Sequence, residues 1–272
     1  MDERVCRCEA MAANMRKDMV GLSEVLGKNV AHWGGALSCT ELLAVLYGEV
    51  LNVETTAFGE RDKLLFSKGH ASMALYTAMV ESGMLERDEL NATYGENDSR
   101  LPAVTEANPQ MGIECSGGIL GIGLSMGAGM ALLAKKRDYS YHTYVIVGDG
   151  EMDEGSVWES IMFASQRKLD NLTLMIDLNG LQADGSTEQI MDWRSLGDRL
   201  RAFGWSAIEI DGHNCEEILS ALEKETDGCP KAILAHTVKG KGISFMENHF
   251  EWHHKALIKE ELEKAKAEVG LI

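Results

Sequence analysis

The chain has 272 residues, of which 45% are hydrophobic, and it carries 26 lysines and arginines against 43 aspartates and glutamates, a formal charge of −17 with histidines neutral. That acidic balance excludes a general nucleic-acid or anionic-membrane binder, since both need a basic face, and the apolar fraction excludes a disordered chain. No uninterrupted apolar segment reaches the ~18 residues of a membrane span, and no apolar signal core follows Met1-Asp2-Glu3-Arg4, so a cytoplasmic protein is expected.

From the amino end, residues 3–30 read as helical, with spaced apolar positions at Met15, Met19 and Leu22. A helix through Leu43, Val45, Leu46 and Val50 is capped by Thr40, with Ser38 as the rival cap. Ser67–Gly83 reads as a further helix and Glu86–Tyr94 as a short one. Residues 117–134 are rich in Gly, Ala, Leu and Met and suggest a loop opening a tightly packed buried helix. Strands are predicted at Thr143–Val147 and Leu172–Ile176, with a helix from about Ser156 to Arg167 between them. This strand–helix–strand unit should have parallel strands. Strands at Ser206–Ile210 and Lys231–Thr237 flank a helix at Cys215–Lys224. The alternation predicts an α/β fold, a parallel sheet buried between helices in three layers. With three prolines and no long Ser/Gly/Pro linker, residues 1–272 are expected to form a single domain.

Six scattered cysteines form no C-x-x-C pair, and the eight histidines show no zinc spacing with them. Reduced thiols are expected, not a structural zinc or a disulfide scaffold. The predicted strand tips are more informative. One runs into Gly148-Asp149-Gly150 and the next into Asp177-Leu178-Asn179-Gly180. In open parallel sheets ligands bind beyond the carboxyl ends of strands, so Asp149 and Asn179 would emerge on one edge. Both offer hard oxygens, suited with a backbone carbonyl and phosphate oxygens to Mg2+ or Ca2+ and not zinc. Gly148 and Gly150 allow backbone N–H groups to approach a phosphate, and the following helix presents its amino end to an anion. The competing reading is an ordinary strand-end turn. Gly121-Ile122-Gly123 lacks the third glycine of a dinucleotide fingerprint and no clear strand precedes it, so no nicotinamide site is expected there.

Gly148-Asp149-Gly150 with Asn179 thirty positions after the aspartate resembles the thiamine diphosphate motif, and the surrounding residues are similar to the transketolase family. So are Phe66-Ser67-Lys68-Gly69-His70-Ala71, His32 ahead of Gly34-Gly35, Cys115–Leu124, Lys239–Asn248, and Trp252-His253-His254-Lys255-Ala256, in register over almost the whole chain. The resemblance implies the thiamine-diphosphate-binding fold. It implies that Asp149, Asn179 and the carbonyl of Leu181 hold the divalent metal, and that the Gly150 N–H, His70 and His253 contact the diphosphate. Gly118 and Leu120 would line the aminopyrimidine end. His32, His70 and His253 would face the reacting carbons of the sugar, where a neutral imidazole can hold or move a hydroxyl proton. Of the adjacent His253 and His254, the match favours His253. Glu154 and Glu159 match positions near the cofactor at the subunit interface, although Glu154 could simply favour a helix amino end.

A full transketolase is more than twice this length, and the family's catalytic glutamate belongs to the part not represented here. The resemblance therefore implies a split enzyme: an amino-terminal subunit, active only with a carboxy-terminal transketolase subunit in an α2β2 heterotetramer, transferring a two-carbon ketol unit between small sugars or sugar phosphates. Anionic substrates need local positive charge against the acidic total, for which the metal and Arg100, Lys239 or Lys241 are candidates. One departure matters. Where the family continues Gly-His-Pro after Ser99-Arg100-Leu101-Pro102, this chain has Ala103-Val104-Thr105. Val104 cannot hydrogen-bond through its side chain, which suggests a modified ketose, sulfonated or branched. The usual Leu-Gly-Gln-Gly is also altered, to Leu120-Gly121-Ile122-Gly123. The alternatives are a subunit of a 2-oxo-acid dehydrogenase or of a deoxyxylulose-phosphate-type synthase, and a non-catalytic cofactor-binding paralogue.

Overall fold

The structure, a computed structural model, describes residues 2–27, 29–53, 55 and 57–272. Five strands form one wholly parallel sheet in the order β1-β2-β3-β5-β4: β1 (Lys63–Phe66), β2 (Thr143–Gly148), β3 (Leu172–Leu178), β4 (Ser206–Asp211) and β5 (Lys231–His236). The sheet is covered on both faces, as parallel sheets require. Side chains alternate with period two, so Phe66, Ile146, Met175 and Ile233 feed one core while Leu65, Val145, Leu174 and Leu234 feed the other. The first core is closed by α1 (Glu3–Gly21), α2 (Ser23–Leu26), α3 (Trp33–Ser38), α4 (Thr40–Val45), α5 (Ser72–Glu81), α6 (Arg87–Thr93) and, further along, α11 (Cys215–Glu223) and α12 (Lys259–Glu268). The second is closed by α7 (Gly123–Arg137), α8 (Gly155–Gln166) and α10 (Leu196–Ala202), while α9 (Thr187–Ile190) is a single turn with no buried residue.

The three-layer expectation describes this fold, but several elements differ. The 3–30 helix ends at Gly21, and a short α2 follows to Leu26 before Gly27, whose φ of +58° suits glycine; Lys28 lies outside the described residues. Neither Thr40 nor Ser38 is a side-chain cap. The Thr40 hydroxyl donates to the Ala36 and Leu37 carbonyls, and that of Ser38 donates to Gly35 and to buried Asp177. The Ser67–Gly83 segment opens with a 3-10 turn at Gly69–Ala71, so α5 starts only at Ser72. The Gly-rich segment opens with a loop, as expected, and its helix starts at Gly123, but that helix buries only one face: Ser125, Met126, Gly129 and Leu133 are exposed.

The strand β1 has no counterpart in the sequence reading. It has only four residues, too few for a strand pattern to register. Lys63 is fully buried, its ammonium 4.2 Å from the Phe58 ring centroid and 3.8 Å from Glu114. Immediately after β1 the backbone of Gly69 packs directly on that of Gly117, where any Cβ would overlap the other segment. Thr105 stitches the two segments, donating its N–H to Gly69 and accepting from Gly117. The 117–122 loop is thereby held above the carboxyl ends of the strands.

Candidate active site

The strand register sets the site. Gly148 of β2 pairs with Asp177 of β3, so Asp149 and Asn179 leave the same sheet edge side by side. Asp149 is buried. Its carboxylate accepts from Gly150 N at 2.9 Å, from Gly180 N at 2.7 Å and from Thr187 Oγ1 at 3.0 Å. Burial, and then the charge of Asp177, push the Asp149 carboxyl up to about 6. Asn179 donates Nδ2 to Asp177 at 3.2 Å, while its Oδ1 accepts from Leu181 N at 3.2 Å.

Beneath these two lies an ion pair. Lys68, from the turn after β1, donates its ammonium to Asp177 and to the Gly35 carbonyl at 3.0 Å. Asp177 also accepts from Ser38, Thr237 and Asn179. Burial opposes the charge on both partners, but their mutual attraction outweighs it: the Asp177 carboxyl is held below its ordinary value and the Lys68 ammonium above its own.

Three distant segments bring in the imidazoles. An antiparallel bridge joins Ala31 to Lys255, with N–H···O distances of 3.2 and 3.1 Å, and the Trp33 indole donates to Lys255 O. His32 and His253 therefore meet, 5.5 Å between ring centroids, with His70 at 5.3 Å from each. His254 stacks on His32 at 4.4 Å from the outer side and is exposed. Burial, reinforced by neighbouring His and Lys charges, drives His32 and His253 down to about 4 and His70 well below its ordinary value. All three rings are neutral near pH 7, the form that can accept or donate a single proton.

These groups line one cleft of about 380 Å³. Of the residues singled out in the sequence, His32, His70, His253, Gly118, Leu120, Asp149, Gly150, Asn179 and Leu181 all border it, and so does Val104. Glu154 does not. It is exposed at the amino end of α8, its side chain against Gly121, and makes no capping hydrogen bond. Arg100 is bound to Glu89 and Lys241 lies near Glu247, both away from the cleft, whereas Lys239 is buried in its wall. Sequence reasoning missed Lys68, Glu151 and Gln182. Lys68 sits inside a quoted motif and Glu151 directly after one, but burying a charged residue depends on partners 109 and 84 positions away, which no local spacing reveals. The buried Glu151 accepts from Ser67 Oγ and, at 2.8 Å, from Gly121 N, fixing the loop that carries Gly118 and Leu120.

With this geometry in view, the comparisons are specific. Residues 9–272 match the family described as transketolase, thiamine diphosphate binding domain. The chain is 40% identical over 270 residues to an apulose-4-phosphate transketolase subunit from Phocaeicola vulgatus, covering 96% of this chain and 94% of that protein. It is 39% identical over 273 residues to the 6-deoxy-6-sulfo-D-fructose transketolase subunit SqwG of a Clostridium species, covering 99% and 98%. The transketolase structure from Campylobacter jejuni superposes with a TM-score of 0.86 at 28% identity, covering 99% of this chain. This chain spans only 43% of that longer one. The protein belongs to the transketolase family, of which it carries the thiamine diphosphate binding domain.

Proposed function

We propose that the chain, acting as one structural unit, is the amino-terminal subunit of a two-subunit transketolase of the cytoplasm. The observation that carries this is the meeting of an oxygen donor set with a histidine cluster at the tips of β2 and β3. The donor set is the Asp149 carboxylate, the Asn179 amide oxygen and the Leu181 carbonyl, all bordering one cleft. No thiol or imidazole belongs to it, and among the described residues no group of three His, Cys, Asp or Glu could hold a metal. That chemistry fits a hard divalent cation such as Mg2+. The buried Asp149, whose carboxyl is pushed upward by burial and Asp177, is relieved by a bound cation. The Gly150 N–H and the neutral His70 and His253 rings would offer hydrogen-bond donors to the diphosphate, and the buried Lys239 ammonium the positive charge, with the Lys68–Asp177 pair beneath. Thiamine diphosphate, when bound, supplies the carbanion and electron sink for two-carbon ketol transfer. The protein's part is to hold the diphosphate end, to keep three neutral imidazoles against the sugar hydroxyls, and to orient the substrate for proton movement at those rings.

A partner subunit is supported by the exposed apolar lip beside the cleft. Ile119, Leu120 and Ile122 are 67%, 40% and 40% exposed, and Met126 of α7 and Met162 and Phe163 of α8 are exposed as well. Relatives named as subunits support the same reading; the assembly we propose is an α2β2 heterotetramer with sites between chains, with Glu154 and Glu159 facing that interface. Relatives named for ketol transfer favour it over a dehydrogenase subunit or a non-catalytic paralogue. Val104 on the cleft wall, with relatives named for apulose 4-phosphate and 6-deoxy-6-sulfo-D-fructose, favours a modified ketose as donor.

Calorimetry with the partner present tests the assignment. Magnesium-dependent thiamine diphosphate binding is expected, and Asp149→Ala is expected to abolish it. Binding unaffected by Asp149→Ala, or ketol transfer by this chain alone, overturns the proposal.

A further inference from the structure

Lys239 reaches the cleft through a gap made for it. A Cβ on Gly34 would lie 2.7 Å from Lys239 Cγ and 3.0 Å from Cε, and Gly240 N donates to Gly34 O at 3.0 Å, clamping the two segments there. At the tip, Nζ has three neighbours: Leu181 O at 2.9 Å, Gln182 O at 3.4 Å and His253 Nδ1 at 3.3 Å. An ammonium has three donors and no acceptor. Two of its neighbours are carbonyls that only accept, so the third N–H faces His253 Nδ1, which must present its lone pair. A neutral imidazole carries one N–H, and with Nδ1 committed as acceptor that proton sits on Nε2.

We propose that Lys239 is a positioning residue that fixes His253 as its Nε2–H tautomer, so that His253 meets ligands in the cleft as a hydrogen-bond donor and not as a base. Among the described residues neither the His32 nor the His70 ring makes a hydrogen bond, so both remain free to choose a tautomer. The three imidazoles therefore divide their labour. Phosphate or sugar oxygens accept from His253, and removal of a hydroxyl proton falls to His32 or His70. Leu181 O has two lone pairs, so accepting from Lys239 leaves one for a metal. The division of labour rests on reading the cleft as the thiamine diphosphate and sugar site; the tautomer does not.

The test is two-bond proton–nitrogen correlation spectroscopy of the full chain labelled with 15N-histidine, near neutral pH, alone and again with Mg2+ and thiamine diphosphate. His253 is assigned through the loss of its signals in His253→Asn. The Nε2-protonated pattern is expected in the unmodified protein and in Lys239→Arg. It is expected to be lost to exchange between tautomers in Lys239→Met. An Nδ1-protonated or doubly protonated His253 in the unmodified protein overturns the proposal, whatever the variants do. So does an unchanged Nε2–H pattern in a Lys239→Met protein whose circular dichroism shows it folded. Should Lys239→Met not fold, the unmodified spectrum still decides. A correct tautomer with no calorimetric cofactor binding would sink the cofactor reading alone.

Discussion

Val104 is the side chain proposed to set donor choice on a shared scaffold. It borders the same cleft as the three imidazoles, and its Cγ1 would lie 3.0 Å from a Cβ on Gly118, so it fills the space against the loop. An isopropyl group there can exclude water but cannot hold a hydroxyl. With the proposed partner subunit present, Val104→His is expected to raise kcat/KM for xylulose 5-phosphate relative to a 6-sulfonated ketose by roughly 2- to 13-fold, the worth of one net hydrogen bond of about 0.5–1.5 kcal/mol. A ratio unmoved in steady-state assays would show that Val104 does not read the donor. Val104, Asp149 and Asn179 stand out in the sequence because each belongs to a short motif. Lys68 and Asp177 are harder to read. Each looks like an ordinary surface charge until the chain brings Ser38, Thr237 and Gly35 around them.

At the level of single helices and strands, the sequence is most informative where burial is two-sided. β2, β3 and β5 each carry an apolar run, at 144–147, 174–176 and 232–235, and are legible as such; β1, with four residues, is not. In α7 the glycines suggest close packing throughout, but the structure separates their roles. A Cβ on Gly127 would lie 2.5 Å from Val145 Cγ2 of β2, whereas one on Gly129 meets nothing within 4 Å. Gly127→Ala gains up to about 1 kcal/mol of helix propensity but sets it against roughly 1–3 kcal/mol of overpacking, so a net loss is expected. Gly129→Ala, further along the same helix and turned outward, is expected to stabilise by roughly 0.4–1 kcal/mol. Urea denaturation of the two variants measures both signs, and equal behaviour would mean that α7 does not seat on the sheet as described.

For the molecule as a whole, pH is the informative variable. Burial drives His32, His142 and His253 to about 4 and His70 well below its ordinary value. In the unfolded chain each titrates near about 6.5. Below that value the unfolded chain binds protons that the folded chain refuses, so their contribution to stability is full above about pH 6.5 and is lost as the pH falls toward about 4. Asp149, raised to about 6, acts in the opposite direction: the folded chain keeps a proton that the unfolded chain has released, which favours folding at the acid end. Burial raises Asp18, Asp62 and Glu151 as well. Four histidines, whose ordinary value lies in the range being crossed, outweigh these carboxyls and leave a net loss on acidification. The urea midpoint is therefore expected to fall between about pH 7 and about pH 5, and a constant or rising midpoint would show that the rings are not buried as neutral groups. The acidic total does not prevent anion capture, because the charges are spread over the surface and screened beyond about 8–10 Å, whereas Lys68 and Lys239 are fixed inside the cleft.

The loop that Gly69 and Gly117 hold over the strand tips has a practical consequence for anyone producing this polypeptide. Its isoleucines and leucine point outward beside the cleft mouth, so an orphan preparation carries a greasy rim into buffer. Such a rim invites self-association at high concentration. Co-production with the proposed partner subunit, and not detergent or dilution, is then the natural remedy.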